Sequence, residues 1–119
     1  MLSNIYVKVA PLLKDRELNS DVDSILNFLE KYKTKELIYP SALHRKLKID
    51  IRVIYEVLEA CVQIGIVEQY LEIYCPVCCR FTGQRFKHIE DIPEEVSCLN
   101  CGEEVMHPLK HAVVIYRVL

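Results

Sequence analysis

Two C-x-x-C pairs, Cys75-Pro76-Val77-Cys78 and Cys98-Leu99-Asn100-Cys101, stand nineteen residues apart and constrain this chain more than any other feature. Each C-x-x-C turn aims two sulfurs at one point, and two facing turns complete a tetrahedron around a metal at ~2.3 Å per bond. The spacing is that of structural zinc sites, so Cys75, Cys78, Cys98 and Cys101 are expected to hold one structural Zn2+. Four protein thiolates close the coordination sphere, which argues against hydrolysis at the metal, where an open water position is needed. Gly102 follows the second pair at a place that suits a tight turn. Cys79 occupies the equivalent place in the first pair, where a side chain is less comfortable in a left-handed conformation.

The chain has 119 residues, of which 51% are hydrophobic and 27% charged, the make-up of one compact globular domain or two very small ones sharing an interface. No run of ~18 apolar residues exists to cross a bilayer, and the first residues lack the charged, apolar and small-residue zones of an export signal. A soluble, cytoplasmic protein with reduced thiols is therefore expected, and metal ligation is preferred to disulfides for the cysteine pairs. The formal net charge of −2 gives no global attraction to nucleic acid or anionic lipid.

Along the chain, residues 1–19 read as an N-terminal extension, strand by the alternation of Ile5, Val7 and Val9, or helix by Leu2, Ile5 and Val9. Val22, Ile25, Leu26, Leu29 and Tyr32 repeat at helical spacing from Asp21 to about Lys33, with Ser20 as the expected cap. Ser41 is expected to cap a short second helix through Leu47, with Pro40 just outside it. Asp50 is expected to cap a third over Ile51 to Ile64, burying Ile54, Val57, Leu58 and Cys61. Gly65 then stands where a left-handed C-terminal residue is wanted. Ile66–Tyr74, Phe81–His88 and His111–Leu119 read as strands. Cys61 reads as a small buried hydrophobe, and the histidines as surface or hydrogen-bonded residues rather than ligands.

Three helices followed by an extended segment, with Leu47-Lys48-Ile49-Asp50 between the second and third, look like a winged helix-turn-helix. The expected fold class is α+β, a winged helix-turn-helix over 20–73 followed by a small β zinc ribbon with a C-terminal strand over 74–119. With the two cysteine knuckles, this order of modules resembles the N-terminal part of the alpha subunit of general transcription factor E. It is also similar to small bacterial winged-helix and zinc-ribbon proteins of unassigned function. The resemblance covers residues ~20–119 by architecture and implies a nucleic-acid or polymerase-like partner rather than an activity.

The residues qualify that implication. The outward face of the third helix carries Arg52, Glu56, Glu59 and Gln63, one cation against two carboxylates, and such a face repels phosphate. Basic residues gather elsewhere: Lys31, Lys33 and Lys35, then His44, Arg45, Lys46 and Lys48, interleaved with Tyr32 and Tyr39. Lys31 and Lys33 also have a simpler role, offsetting the dipole at the end of the first helix. Lys35, His44, Arg45, Lys46, Lys48 and Arg52 are the candidate nucleic-acid or partner contacts. Ile51, Tyr55 and Val62, on the flank of the third helix, form a candidate apolar partner surface. Glu90-Asp91 and Glu94-Glu95 read as a solvated acidic loop around Pro93.

No nucleophile with a paired base, glycine-rich phosphate loop or shared carboxylate face is legible, so no enzyme, small-molecule substrate or membrane partner is expected. The expected function is a non-catalytic regulatory or adaptor module that binds a protein partner, with self-association open. A DNA-binding transcriptional regulator and a rubredoxin-like iron electron carrier are the alternatives, since four thiolates also hold iron.

Overall fold

The computed structural model describes residues 19–119, and the N-terminal extension lies outside the described residues. Among the described residues the fold is α+β, with three helices and a curled antiparallel sheet. The described elements are α1 (Asn19–Leu29), β1 (Leu37–Ile38), α2 (Pro40–Leu47), α3 (Ile51–Gln63), β2 (Val67–Cys75), β3 (Arg80–Phe86), β4 (Val96–Ser97), β5 (Glu104–Val105) and β6 (Ala112–Val118). Single 3₁₀ turns cover Ile89–Asp91 and Pro108–His111. The strand order of the larger sheet is β1-β6-β2-β3, and β4 with β5 forms a separate two-stranded ribbon.

Two compact units divide the chain. One runs to Glu68 and takes back Tyr116–Leu119, and the other is Gln69–Ile115. The end of β6 falls with the first unit, where Leu37 and Ile38 pair with Arg117 and Tyr116, and the amide of Leu119 donates to the carbonyl of Ile66 at 3.0 Å.

The first unit packs α1, α2 and α3 against one another around Ile25, Leu26, Leu29, Leu43, Ile54, Leu58 and Cys61, all essentially buried. Their spacing at three and four residues builds one apolar stripe per helix, and burying each large aliphatic side chain stabilises by ~1.5–3 kcal/mol. Asp50 caps α3 as expected, its carboxylate accepting from the amide of Arg52 at 2.8 Å. Gly65 has φ +79, the left-handed value that lets the chain leave α3 and enter β2. Tyr116, buried at the end of β6, donates its hydroxyl to Glu59 at 2.6 Å, and Arg117 pairs with Glu68.

Two details depart from expectation. α1 already runs at Asn19, so Ser20 lies inside it rather than capping it, and its last turn is over by Leu29, leaving Lys31 and Lys33 beyond the helix. α2 begins at Pro40 with Tyr39 at the cap position and no side-chain cap, so Ser41 also lies inside. Proline fits that first position because its missing N–H would have had no partner there, and its fixed φ is already helical. α2 ends in a left-handed residue, but a non-glycine one: Lys48 takes φ 57.

In the second unit β2 pairs antiparallel with β3 in the register Leu71↔Phe86, Glu72↔Arg85, Tyr74↔Phe81 and Cys75↔Arg80, with an irregularity between Glu72 and Tyr74. Its core is small. Ile73, Val96 and Val105 surround the buried sulfur residues Cys75 and Cys98, and Phe86, Ile92 and Ala112 pack at the edge.

Candidate metal centre

The first knuckle hangs from the end of β2. After Cys75 the chain turns through Pro76 and Val77, and the amide of Cys79 returns to the carbonyl of Cys75 at 2.9 Å. The second knuckle repeats this after β4, with the amide of Gly102 bonded to the carbonyl of Cys98 at 2.8 Å. The two turns have matching backbones, for Gly102 takes φ 78 and Cys79 takes φ 58. Cys79 therefore adopts the left-handed conformation that its side chain disfavours, which closes the turn in glycine's place.

The turns face each other and bring four sulfurs together. Cys75 Sγ lies 3.8 Å from Cys101 Sγ, and Cys78 Sγ lies 3.7 Å from Cys98 Sγ. All four sulfurs lie within 4.8 Å of one another, and none of the six cysteines is in a disulfide. A regular tetrahedron with ~2.3 Å metal–sulfur bonds has sulfur–sulfur edges of ~3.8 Å, so the two short separations have the size a bound ion requires. The set can hold a metal ion, and its four ligands are the four that the spacing picks out.

Backbone amides aim at the sulfurs. Asn100 N–H points at Cys98 Sγ at 3.4 Å, and together with the amide of Cys101, the larger influence, it brings Cys98 down to about 7. Burial, followed by the neighbouring sulfurs of Cys98, Cys75 and Cys101, pushes Cys78 up to about 12. The contrast is physical: amides stabilise one thiolate, and four crowded negative charges refuse to form together without an opposing charge. A dication at the centre would supply that charge and reverse the penalty.

The cage is fixed from outside as well. The amide of Leu99 donates to Thr82 at 3.1 Å, Asn100 Nδ2 to the Phe81 carbonyl at 2.5 Å, and Gln84 Nε2 to the Ser97 carbonyl at 2.7 Å. These three bonds hold β3 to the second knuckle. Gly83, at φ 88, lets Leu99 lie close, since a Cβ there would stand 3.2 Å from Leu99 Cδ1. The spacing in the sequence picks out the four cysteines but not these supports, because Asn100 and Gln84 act on backbone carbonyls distant in sequence. Cys79 is exposed, and its Sγ lies 3.8 Å from the Pro76 carbonyl.

The remaining candidate residues belong to the first unit. Arg52 is held by Asp50, with Nη2 to Oδ2 at 2.9 Å and Nε to Oδ1 at 3.3 Å. That pairing, the Arg52 side chain foremost, brings the Asp50 carboxyl down to about 2. His44 uses its Nδ1 on the carbonyl of Ile49 at 2.6 Å, which fixes a proton on that nitrogen. Lys46 and Lys31 both stand over the Phe28 ring, at 5.3 and 5.7 Å from its centroid. Arg45, Lys48 and Lys35 are exposed, the amide of Lys35 bonding to the Val118 carbonyl at 2.7 Å. Ile51, Tyr55 and Val62 are half-buried, and the Tyr55 ring lies 6.3 Å from that of Tyr116. Among the described residues no helix is long and apolar enough to cross a membrane.

Comparison with protein-family models, with curated proteins and with solved structures gives no match.

Proposed function

We propose that this protein is a non-catalytic regulatory or adaptor module that binds another macromolecule, protein rather than DNA, and that Cys75, Cys78, Cys98 and Cys101 carry one structural zinc ion. The helices and the strand after them act, on this reading, as a winged helix-turn-helix, and the cysteine unit as a zinc ribbon. The likeness to the N-terminal part of the general transcription factor E alpha subunit remains one of module order. Zinc is preferred because four cysteine sulfurs within 4.8 Å of one another form one of its structural ligand sets, and a closed sphere suits a structural rather than a hydrolytic ion.

The observation that carries protein before DNA is the outer face of α3. Its sole cation, Arg52, is engaged by Asp50, and the half-buried Glu56 and the exposed Glu59 follow four and seven residues on, Glu59 accepting from the Tyr116 hydroxyl. A reading helix needs that charge for guanine or phosphate, and here the Asp50 carboxylate competes for it. The DNA reading draws its support from Lys31 and Lys46 meeting over Phe28. A fluorescence-anisotropy titration with generic duplex at low salt decides between them. Weak binding is expected. Tight binding with a steep salt slope, lost on changing Arg45, Lys46 and Lys48 to Glu, would reverse the order. Iron is tested by colour, since a red protein bleached by dithionite replaces zinc with a rubredoxin-like centre.

A further inference from the structure

The cysteine-bearing unit has a trough that the metal cage does not use. Its walls come from the 3₁₀ turn Ile89–Asp91, the loop that follows, the end of β5 and the 3₁₀ turn Pro108–His111, and they enclose about 640 Å³. Ile89, Met106 and Leu109 line it and are 59%, 64% and 56% exposed, more than large apolar side chains normally are without a partner. Ile92 and the buried Pro108 extend the apolar lining inward.

The border of the trough is acidic. Glu94, Glu95 and Glu104 line it against a single Lys or Arg, Lys110. Within Gln69–Ile115, Asp and Glu number seven and Lys and Arg four, and all the carboxylates except Glu72 fall between residues 90 and 104. A tetrathiolate around a dication adds two more negative charges to this unit. The field over the trough therefore favours a cationic occupant with apolar side chains to place among Ile89, Met106 and Leu109.

We infer that this trough is a docking groove for a Lys/Arg-rich amphipathic peptide segment of a partner protein. The inference rests on the protein-partner reading above and names the partner's chemistry. A small-molecule site would bring a few polar groups together inside an enclosing cavity, whereas here the carboxylates border an open apolar channel. Met106 suits a peptide groove, because its unbranched thioether adapts to different side chains. Such grooves take the apolar face of a peptide and leave its charged face to the border.

A bound ion would shape this groove. Val105 belongs to the core that contains Cys75 and Cys98, and Ile92 packs on the same core. Glu104 and Met106, on either side of Val105, both line the trough. Loss of that ion would therefore dissolve the groove as well as the cage.

The test uses fluorescein-labelled synthetic peptides and the metal-replete full chain. One peptide has Leu and Lys at amphipathic spacing, the second has Glu for each Lys, and the third has Ser for each Leu. The Leu/Lys peptide is expected to bind, with affinity falling as salt is raised, and the other two are expected not to. Met106→Ser with Leu109→Ser, and separately Glu94→Lys with Glu104→Lys, should each weaken binding ~10-fold or more. These positions are on the surface, and an unchanged metal content and circular dichroism spectrum checks that the variants fold. Equal binding of the Leu/Glu peptide, unaltered affinity in both variants, or a dimer dispersed by Met106→Ser with Leu109→Ser would each overturn the proposal. The broader reading fails separately. If a partner captured by the parent chain is held equally by the Met106→Ser/Leu109→Ser variant, the groove is refuted and the adaptor stands. If no protein partner binds the parent chain at all, both fall.

Discussion

Removing the metal should unfold one unit of this protein and spare the other. Apart from the cysteines, the buried cluster that surrounds the cage consists of Ile73, Val96 and Val105. At ~1.5–3 kcal/mol for each buried side chain, these three contribute less than the ~10–16 kcal/mol of apparent folding free energy that a structural zinc ion supplies in small modules. Against them stands ~1–2 kcal/mol of backbone entropy for every residue ordered. The apolar core of the first unit, by contrast, contains none of the ligands. Hydrogen–deuterium exchange read by mass spectrometry, with and without excess chelator, separates the two. The amides of Cys79, Cys98, Leu99 and Gly102, which bond within the knuckles or across to β3, should lose protection together with those of β3. Those in the middle of α1 and α3 should keep theirs. Continued protection of the knuckles in a demonstrably metal-free sample would refute the reasoning, and so would equal loss throughout the helices.

Further outcomes follow from individual contacts. Tyr116→Phe removes the buried hydroxyl bonded to Glu59 and should lower stability by about 1–2 kcal/mol, read from urea unfolding midpoints; an unchanged midpoint would remove that bond from the account. Burial and the Glu59 carboxylate hold the Tyr116 phenol well above its ordinary value, so it remains a donor across the accessible pH range. Iodoacetamide at neutral pH should label Cys79 in the metal-replete protein and leave Cys61, whose thiol is pushed up to about 12 by burial, untouched. Labelling of both at one rate would contradict the packing of α3. Asp50, held near 2 first by the Arg52 side chain, has a depressed folded value, so its cap contributes above the ordinary carboxylate range and is lost as pH falls toward 2. An NMR titration should place its midpoint there and move it upward in Arg52→Gln; a midpoint of ~4 in the parent would deny the pair.

The parts of the fold legible in the sequence are those fixed by short-range chemistry. Asp50 before an apolar-periodic run, Gly65 after it, and two C-x-x-C turns each specify their geometry within a few residues. The missed features have other causes. Ser20 and Ser41 were good capping residues, but Pro40 at the first helical position outcompeted Ser41 as the start of α2, and α1 runs past Ser20. Lys48, Cys79 and His107 take positive φ without being glycine, held there by surroundings that no local pattern encodes. The bond from Tyr116 to Glu59 spans 57 positions and the supports of the cage about 13 to 19, so only folding reveals them. The apolar trough was hidden for a different reason. Its residues come from two 3₁₀ turns and a two-residue strand, segments too short to show a period, and Glu94 and Glu95 in isolation read as a solvated loop.

Zinc K-edge X-ray absorption on the reduced, metal-replete protein tests the central claim most directly. The account predicts one zinc per chain with four sulfur scatterers at ~2.3 Å and no nitrogen or oxygen in the first shell. A mixed shell containing a lighter donor, or purified reduced protein without stoichiometric metal, would contradict it.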